Sequence, residues 1–287
     1  MKMKKIVLAM ITLGAVQAEA AVNTDYFLDV SLSQSWDRHV NDDDTPTHES
    51  TDASATIYFE PVSMASGPFA EAPFLSKSSS VEVGSWHDGE TRDRDGHDDF
   101  NSDLDFGYLR GRYVVPDIDM IVDATYGRAG DDLNATLARL GIGAYVMDRA
   151  TLMLDYSHLK NKSRADYDNK FETLALTYHQ LVSLGGSQTL AIEPHIKKAD
   201  LYYGASKREV GVAATWYLTP ALGIRAGLDY AKVENSNDDG NTQEYFTGVD
   251  YFVTDDIRVG AVLKRLTDVE TIADSKGAEI YTSLLTR

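Results

Sequence analysis

From about residue 24 onward, apolar side chains recur at every second position. Leu28, Val30 and Leu32 alternate with Asp29, Ser31 and Ser33. Leu152, Leu154 and Tyr156 alternate with Thr151, Met153, Asp155 and Ser157. Val210, Val212, Ala214, Trp216 and Leu218 alternate with Gly211, Ala213, Thr215 and Tyr217, and the stretches around Ile224 and Ile257 repeat the pattern. A strand turns successive side chains to opposite faces, so each segment has one oily face and one polar or small face. Fourteen such segments are read, near 24–36, 52–61, 78–87, 104–115, 119–129, 134–147, 150–160, 171–182, 189–199, 208–218, 223–233, 244–253, 256–266 and 278–287.

The connections fall into two kinds that largely alternate. Pro116-Asp117, Asp148-Arg149, Thr219-Pro220 and Thr254-Asp255 are short; Asn41 to Asp44, Asp88 to Asp103, Asn161 to Asn169 and Asn235 to Gln243 are longer and polar. Two connections break the rule: Val62 to Lys77 is long on the short-turn side, and Gly130 to Leu133 is brief on the loop side. In an up-and-down meander all even connections lie at one end and all odd ones at the other. The pattern therefore predicts an all-β fold, an antiparallel transmembrane β-barrel of about fourteen strands (twelve to sixteen), with short periplasmic turns and longer extracellular loops. A secreted β-sandwich alternates too, but its second face packs a dry core. Here the second face carries Gly, Ser, Thr and charge, and a water-filled barrel accommodates it. Tyr113, Tyr145, Tyr217 and Phe252 each precede a short turn by two or three residues, the offset of an interfacial aromatic girdle.

The first residues have a different character. Lys2, Lys4 and Lys5 precede an apolar run from Ile6 to Val16, and Ala18-Glu19-Ala20 offers a small-residue cleavage site. Residues 1–20 are read as a signal peptide and 21–287 as the barrel. The apolar run has 11 residues, short of the ~20 a membrane-spanning helix needs. Losing Lys2, Lys4, Lys5 and Glu19 moves the formal charge from −18 to −20. So acidic a chain lacks the clustered cations that nucleic acid requires. It has no cysteine, hence no disulfide or thiolate site.

Gly67-Pro68-Phe69-Ala70-Glu71-Ala72, followed by Phe74-Leu75, resembles the approach to the third strand in the general porins of Gram-negative outer membranes. Leu154-Asp155-Tyr156-Ser157 and Leu228-Asp229-Tyr230 look like the strand pattern repeated in that family. The resemblance covers the mature chain in architecture and implies a channel for passive diffusion of small hydrophilic solutes, with no catalytic residue to carry over. One departure stands out: the chain ends Leu284-Leu285-Thr286-Arg287, whereas outer-membrane barrels usually end on an aromatic residue read by the assembly machinery.

If the apolar face meets lipid, the other face lines the pore. That places Arg110, Arg112, Arg139, Arg225, Arg258 and Lys264 inward with Asp123, Asp155, Asp229 and Asp250. Opposed charges across a narrow waist would set a transverse field; charges paired with neighbours would only keep the wall wet. Asp93, Asp95, Asp98 and Asp99 are candidates for a constriction loop. No metal site or cofactor is expected, because Asn235-x-Asn237-x-Asp239-Gly240 and Thr91-x-Asp93-x-Asp95-Gly96 reach Phe246 and Ser102 where a calcium loop needs Glu. No H-E-x-x-H or G-x-S-x-G is present, and the chain is read as no enzyme. Its expected partners are ions and small hydrophilic solutes, outer-membrane lipid and lipopolysaccharide, and the barrel-assembly machinery, with no nucleic acid. It would act as a homotrimer or a monomer. The leading function is a diffusion porin with a weak cation preference. The alternatives are a substrate-specific channel, for an oligosaccharide or organic anion, and a non-conducting structural or adhesive barrel.

Overall fold

The computed structural model describes residues 25–39, 47–91, 102–130, 135–162, 168–201, 205–234, 239–268 and 274–286. The signal peptide read at residues 1–20 and the acidic residues Asp93, Asp95, Asp98 and Asp99 lie outside them. Strands follow in chain order: β1 (Asp25–His39), β2 (Thr47–Ser63), β3 (Ser80–Thr91), β4 (Ser102–Val115), β5 (Met120–Ala129), β6 (Thr136–Met147) and β7 (Ala150–Lys162). Then come β8 (Asp168–Gly185), β9 (Gln188–Asp200), β10 (Ser206–Thr219), β11 (Leu222–Glu234), β12 (Asp239–Thr254), β13 (Ile257–Asp268) and β14 (Asp274–Thr286). Each pairs antiparallel with its sequence neighbours, and β14 pairs with β1 from Leu28↔Thr286 to His39↔Ser275. The result is the fourteen-stranded closed barrel that the two-residue period predicts. Closure leaves no strand edge unpaired, which is what a bilayer demands of a sheet.

The strands run further at the loop end than the alternation suggests. β2 starts at Thr47, β8 at Asp168 and β12 at Asp239, so Asn241 to Gln243 belong to a strand rather than a loop. Where a ladder rises above the hydrocarbon both faces meet water, so hydrophobic alternation ends before hydrogen bonding does. Between described strands, the longest connection is therefore at the turn end, residues 64–79.

The outer face is apolar: Ile57, Leu109, Leu140, Leu154, Val210 and Leu263 all point away from the barrel, Leu140 with 59% of its surface open. Aromatics on this face form two groups, Phe59, Tyr113, Trp216 and Tyr251 toward the turns and Tyr126, Tyr156, Tyr230 and Tyr245 toward the loops. The four-residue girdle read from the sequence needs correction. Tyr113 faces outward at 55% exposure, but Tyr145, Tyr217 and Phe252 are 7%, 4% and 6% exposed and face the lumen. Their common offset has another origin. Each lies next to a register shift just before its turn, between Tyr145 and Met147, Tyr217 and Thr219, and Phe252 and Thr254. The shift follows each residue and does not set its direction: Leu140 and Ile142, Val210 and Val212, and Val249 and Tyr251 hold the outward parity, so Tyr145, Tyr217 and Phe252 face inward by simple alternation.

Candidate functional site

The three inward aromatics Tyr145, Tyr217 and Phe252 support the connection between β2 and β3. Residues 64–79 do not hang below the barrel. They form two short 3-10 turns (Met64–Ser66 and Phe69–Glu71) and one turn of α-helix (Ala72–Leu75), tucked into the lumen. Composition explains this: Pro68, Phe69, Pro73, Phe74 and Leu75 are too apolar for an exposed turn and need a surface to cover them. Phe69 stacks edge-on against Phe252, with ring centroids 5.5 Å apart. Phe74 lies between Tyr145, at 5.4 Å, and the His179 ring, at 4.7 Å.

Polar anchors fix the same segment. The Phe69 amide donates to the Pro220 carbonyl at 2.8 Å, and the Tyr145 hydroxyl donates to the Phe74 carbonyl at 2.8 Å. Glu71 is held twice, by the Tyr217 hydroxyl at 2.8 Å and by His179 Nε2 at 3.1 Å. The other ring nitrogen of His179, Nδ1, lies 3.2 Å from Glu193. At the segment's end Lys77 Nζ meets Asp119 at 2.6 Å. Both of these residues have left-handed backbone, with φ of 50° and 54°. Strained conformations persist where surrounding contacts over-determine them.

Above this segment the wall is lined by charge. Residues opposite one another in a ladder share a face, and the register carries Arg112↔Asp123, Asp123↔Gly141 and Gly141↔Asp155 around the inside. Arg110 grips Asp123 with Nε at 3.0 Å and Nη2 at 2.7 Å from Oδ2, and Asp123 is only 1% exposed. Arg139 meets Asp155 at 2.8 Å, Arg258 meets Asp250 at 2.6 Å, and Lys264 meets Glu279 at 3.1 Å. Asp229 approaches His195 at 3.3 Å. Arg112 faces Asp123, which Arg110 already occupies, and Arg225 lies over the Phe246 ring at 5.1 Å. Most of the charges singled out from sequence are thus tied to neighbours on the wall.

A cavity of about 220 Å³ remains beside the inward segment, bordered by Glu71, His179, Glu193, Arg225, Asp250 and Arg258. Sequence reasoning did not single out Glu71, His179, Tyr217 or Glu193 as site residues. A signal existed: Tyr145, Tyr217 and Phe252 sit on the polar parity of their strands, opposite a turn that is too long and too apolar. The arrangement offers charges of both signs to a solute and shows no nucleophile with a base and orienting partner among the described residues.

A family model described as "Putative general bacterial porin" matches residues 1–275. The chain belongs to this family. Its lumen is accordingly a porin channel, and an outer membrane is its location. Solved structures share the fold. The outer membrane protein Omp33 of Acinetobacter baumannii superposes with a TM-score of 0.59 at 17% identity, covering 92% of this porin and 100% of that chain. A bacterial polysaccharide outer membrane secretin gives 0.57 at 11% identity, over 91% and 99%. Vibrio cholerae OmpT lacking loop L8 gives 0.50 at 12%, over 89% and 98%. No curated protein matches the porin.

Proposed function

We propose that this porin passes ions and small hydrophilic solutes down their gradients, and that residues 64–79 set its narrowest point. One observation carries the reading: an apolar strap enters an otherwise polar lumen and stops beside a small cavity bordered by both signs of charge. In this reading passage is passive and the porin is no enzyme. Residues 1–20 serve as the cleaved export signal.

A weak cation preference accompanies this reading. Asp29, Asp52 and Glu244 face inward with no cation within salt-bridge distance among the described residues, and Asp29 Oδ1 is buried with no hydrogen-bond partner. Against them stand Arg112 and Arg225, the inward arginines without a bonded carboxylate there. A negative wall concentrates counter-ions along it. Reversal potentials of the refolded porin in a salt gradient test this, and clear anion selectivity would reject it.

The number of anchors on the strap favours a second reading, a barrel closed in its resting state. Deleting residues 68–76 separates the two. Wild-type conductance that rises on deletion supports the channel; a silent wild type, whether or not the deletion opens it, supports the closed structural or adhesive barrel. Blockage of the wild-type current by a single solute class would point instead to substrate-specific uptake.

A further inference from the structure

Away from the strap, three neighbouring strands bring ligand-bearing side chains to one spot on the inner wall. His195 on β9, Gly211 on β10 and Asp229 on β11 are directly opposite one another in register. Glu209 lies two residues before Gly211 on the same face of β10. His195 Nε2 is 3.3 Å from Glu209 Oε1 and 3.3 Å from Asp229 Oδ1, and the three ligand atoms lie within 4.8 Å of one another. We propose that His195, Glu209 and Asp229 form a binding site for a divalent transition-metal ion of the zinc class in the channel wall.

Three features carry the assignment. The first is the donor set. One imidazole nitrogen with two carboxylate oxygens suits zinc and its first-row neighbours, whereas magnesium and calcium favour oxygen alone. Three protein ligands leave a position open to the lumen for water.

The second is spacing. A tetrahedral ion with ligands at about 2.1 Å separates neighbouring ligand atoms by about 3.4 Å. The two 3.3 Å separations from Nε2 already match such an edge, and the third, between Glu209 and Asp229, is no more than 4.8 Å. The side chains are largely shielded, at 12%, 14% and 21% exposure for His195, Glu209 and Asp229.

The third is an orphaned acceptor and the space that holds it. Asp229 Oδ1 is buried with no hydrogen-bond partner, an expense that an ion would remove. Gly211 makes the approach possible. A Cβ there would collide with Asp229 Oδ1 and come within 2.7 Å of His195 Cε1. The glycine keeps open the gap over which the histidine and the aspartate reach for each other.

Two lysines tune the site. Lys197 Nζ holds Glu209 Oε1 and Lys207 Nζ holds Oε2, each at 2.8 Å. Both ammonium groups are partly exposed to lumen water and can swing there when Oε1 takes the ion. Their positive charge weakens binding, so the ion exchanges rather than being locked in as a structural zinc is.

Titration calorimetry with zinc chloride on the detergent-refolded porin tests the proposal without reference to conduction, so its outcome is independent of the channel reading. The expected result is saturable binding of one zinc ion per chain and no saturable binding of magnesium. Asp229→Asn, nearly isosteric, and His195→Ala should each weaken zinc binding at least tenfold. Gly211→Ala, which removes no ligand, should weaken it as well. Heat-modifiable gel mobility establishes that each protein is folded, and Asp229→Asn decides the matter if a bulkier change is not. Absence of saturable zinc binding by the wild type, or binding by folded Asp229→Asn equal to the wild type, would overturn the site and leave an ordinary ion-pair cluster.

Discussion

Glu71 and His179 are 108 positions apart in sequence and meet at 3.1 Å inside the barrel, the first on the inward strap and the second on the wall. The histidine also faces Glu193 with its other nitrogen. Only imidazolium, with a proton on each nitrogen, donates to both carboxylates. The strap is thereby tied to β8 through a charge-assisted bond and to β10 through Tyr217.

Glu71→Ala leaves Tyr217 and His179 facing an unfilled space, and loosening should follow. Single-channel conductance should rise in Glu71→Ala and rise further, several-fold, on deletion of residues 68–76. Unchanged conductance in the deletion variant would mean that the strap is not the constriction.

The same geometry has a pH consequence. Glu71, Glu193 and the Phe74 ring all face His179, so losing one ring proton removes one of two donors and frees one carboxylate. Conductance should therefore step upward when the ring loses that proton, and His179→Gln should lack the step. A pH profile of the wild-type current identical to that of His179→Gln contradicts the tie.

Lys77 and Asp119 are linked by a short but partly exposed ion pair, and such pairs contribute ~0–1 kcal/mol. Backbone conformation at Asp119 should matter more. Asp119→Asn, which tolerates left-handed backbone, is expected to be near neutral, while Asp119→Val should cost about 1–2 kcal/mol. Urea unfolding of refolded protein in detergent measures both. A valine variant as stable as the asparagine one would show that the chain relaxes there without strain.

Arg110 and Asp123 should be the most sensitive pair on the wall, because Asp123 is almost fully enclosed and held by a two-pronged guanidinium. Removing one partner of a buried pair costs about 3–5 kcal/mol. Asp123→Ala should lower the temperature of heat-modifiable unfolding more than Asp155→Ala, whose carboxylate is the more exposed, at 11% against 1%. Equal shifts would mean that water reaches Asp123.

Leu140 tests the other face. It points outward near the middle of β6, and arginine at mid-membrane on such a face costs about 2–4 kcal/mol. Leu140→Arg should fold poorly into vesicles, as judged by gel mobility. Efficient folding would place that residue away from hydrocarbon.

The barrel was legible because a two-residue period tells which side of a strand each residue faces, and fourteen such stretches leave few other topologies. Asp123, Asp155 and Asp250 could be assigned to the inner face on parity alone. Parity says nothing of what fills that face. Tyr145, Tyr217 and Phe252 lie at the distance from a turn that an interfacial girdle has, but their polar parity aims them at the strap. The partnership of His195, Glu209 and Asp229 was hidden for a different reason. Those residues lie on three strands, and only the register of β9, β10 and β11 brings them within reach.

The seam between β1 and β14 has a consequence for assembly. Its two halves are the first and last parts of the cylinder to be synthesised, so no shorter intermediate can seal the wall. Until they join, two long backbone margins stay open to any other strand. Bringing such distant segments together is entropically costly and slow. A factor that shelters those margins would therefore speed maturation more than any substitution inside the lumen.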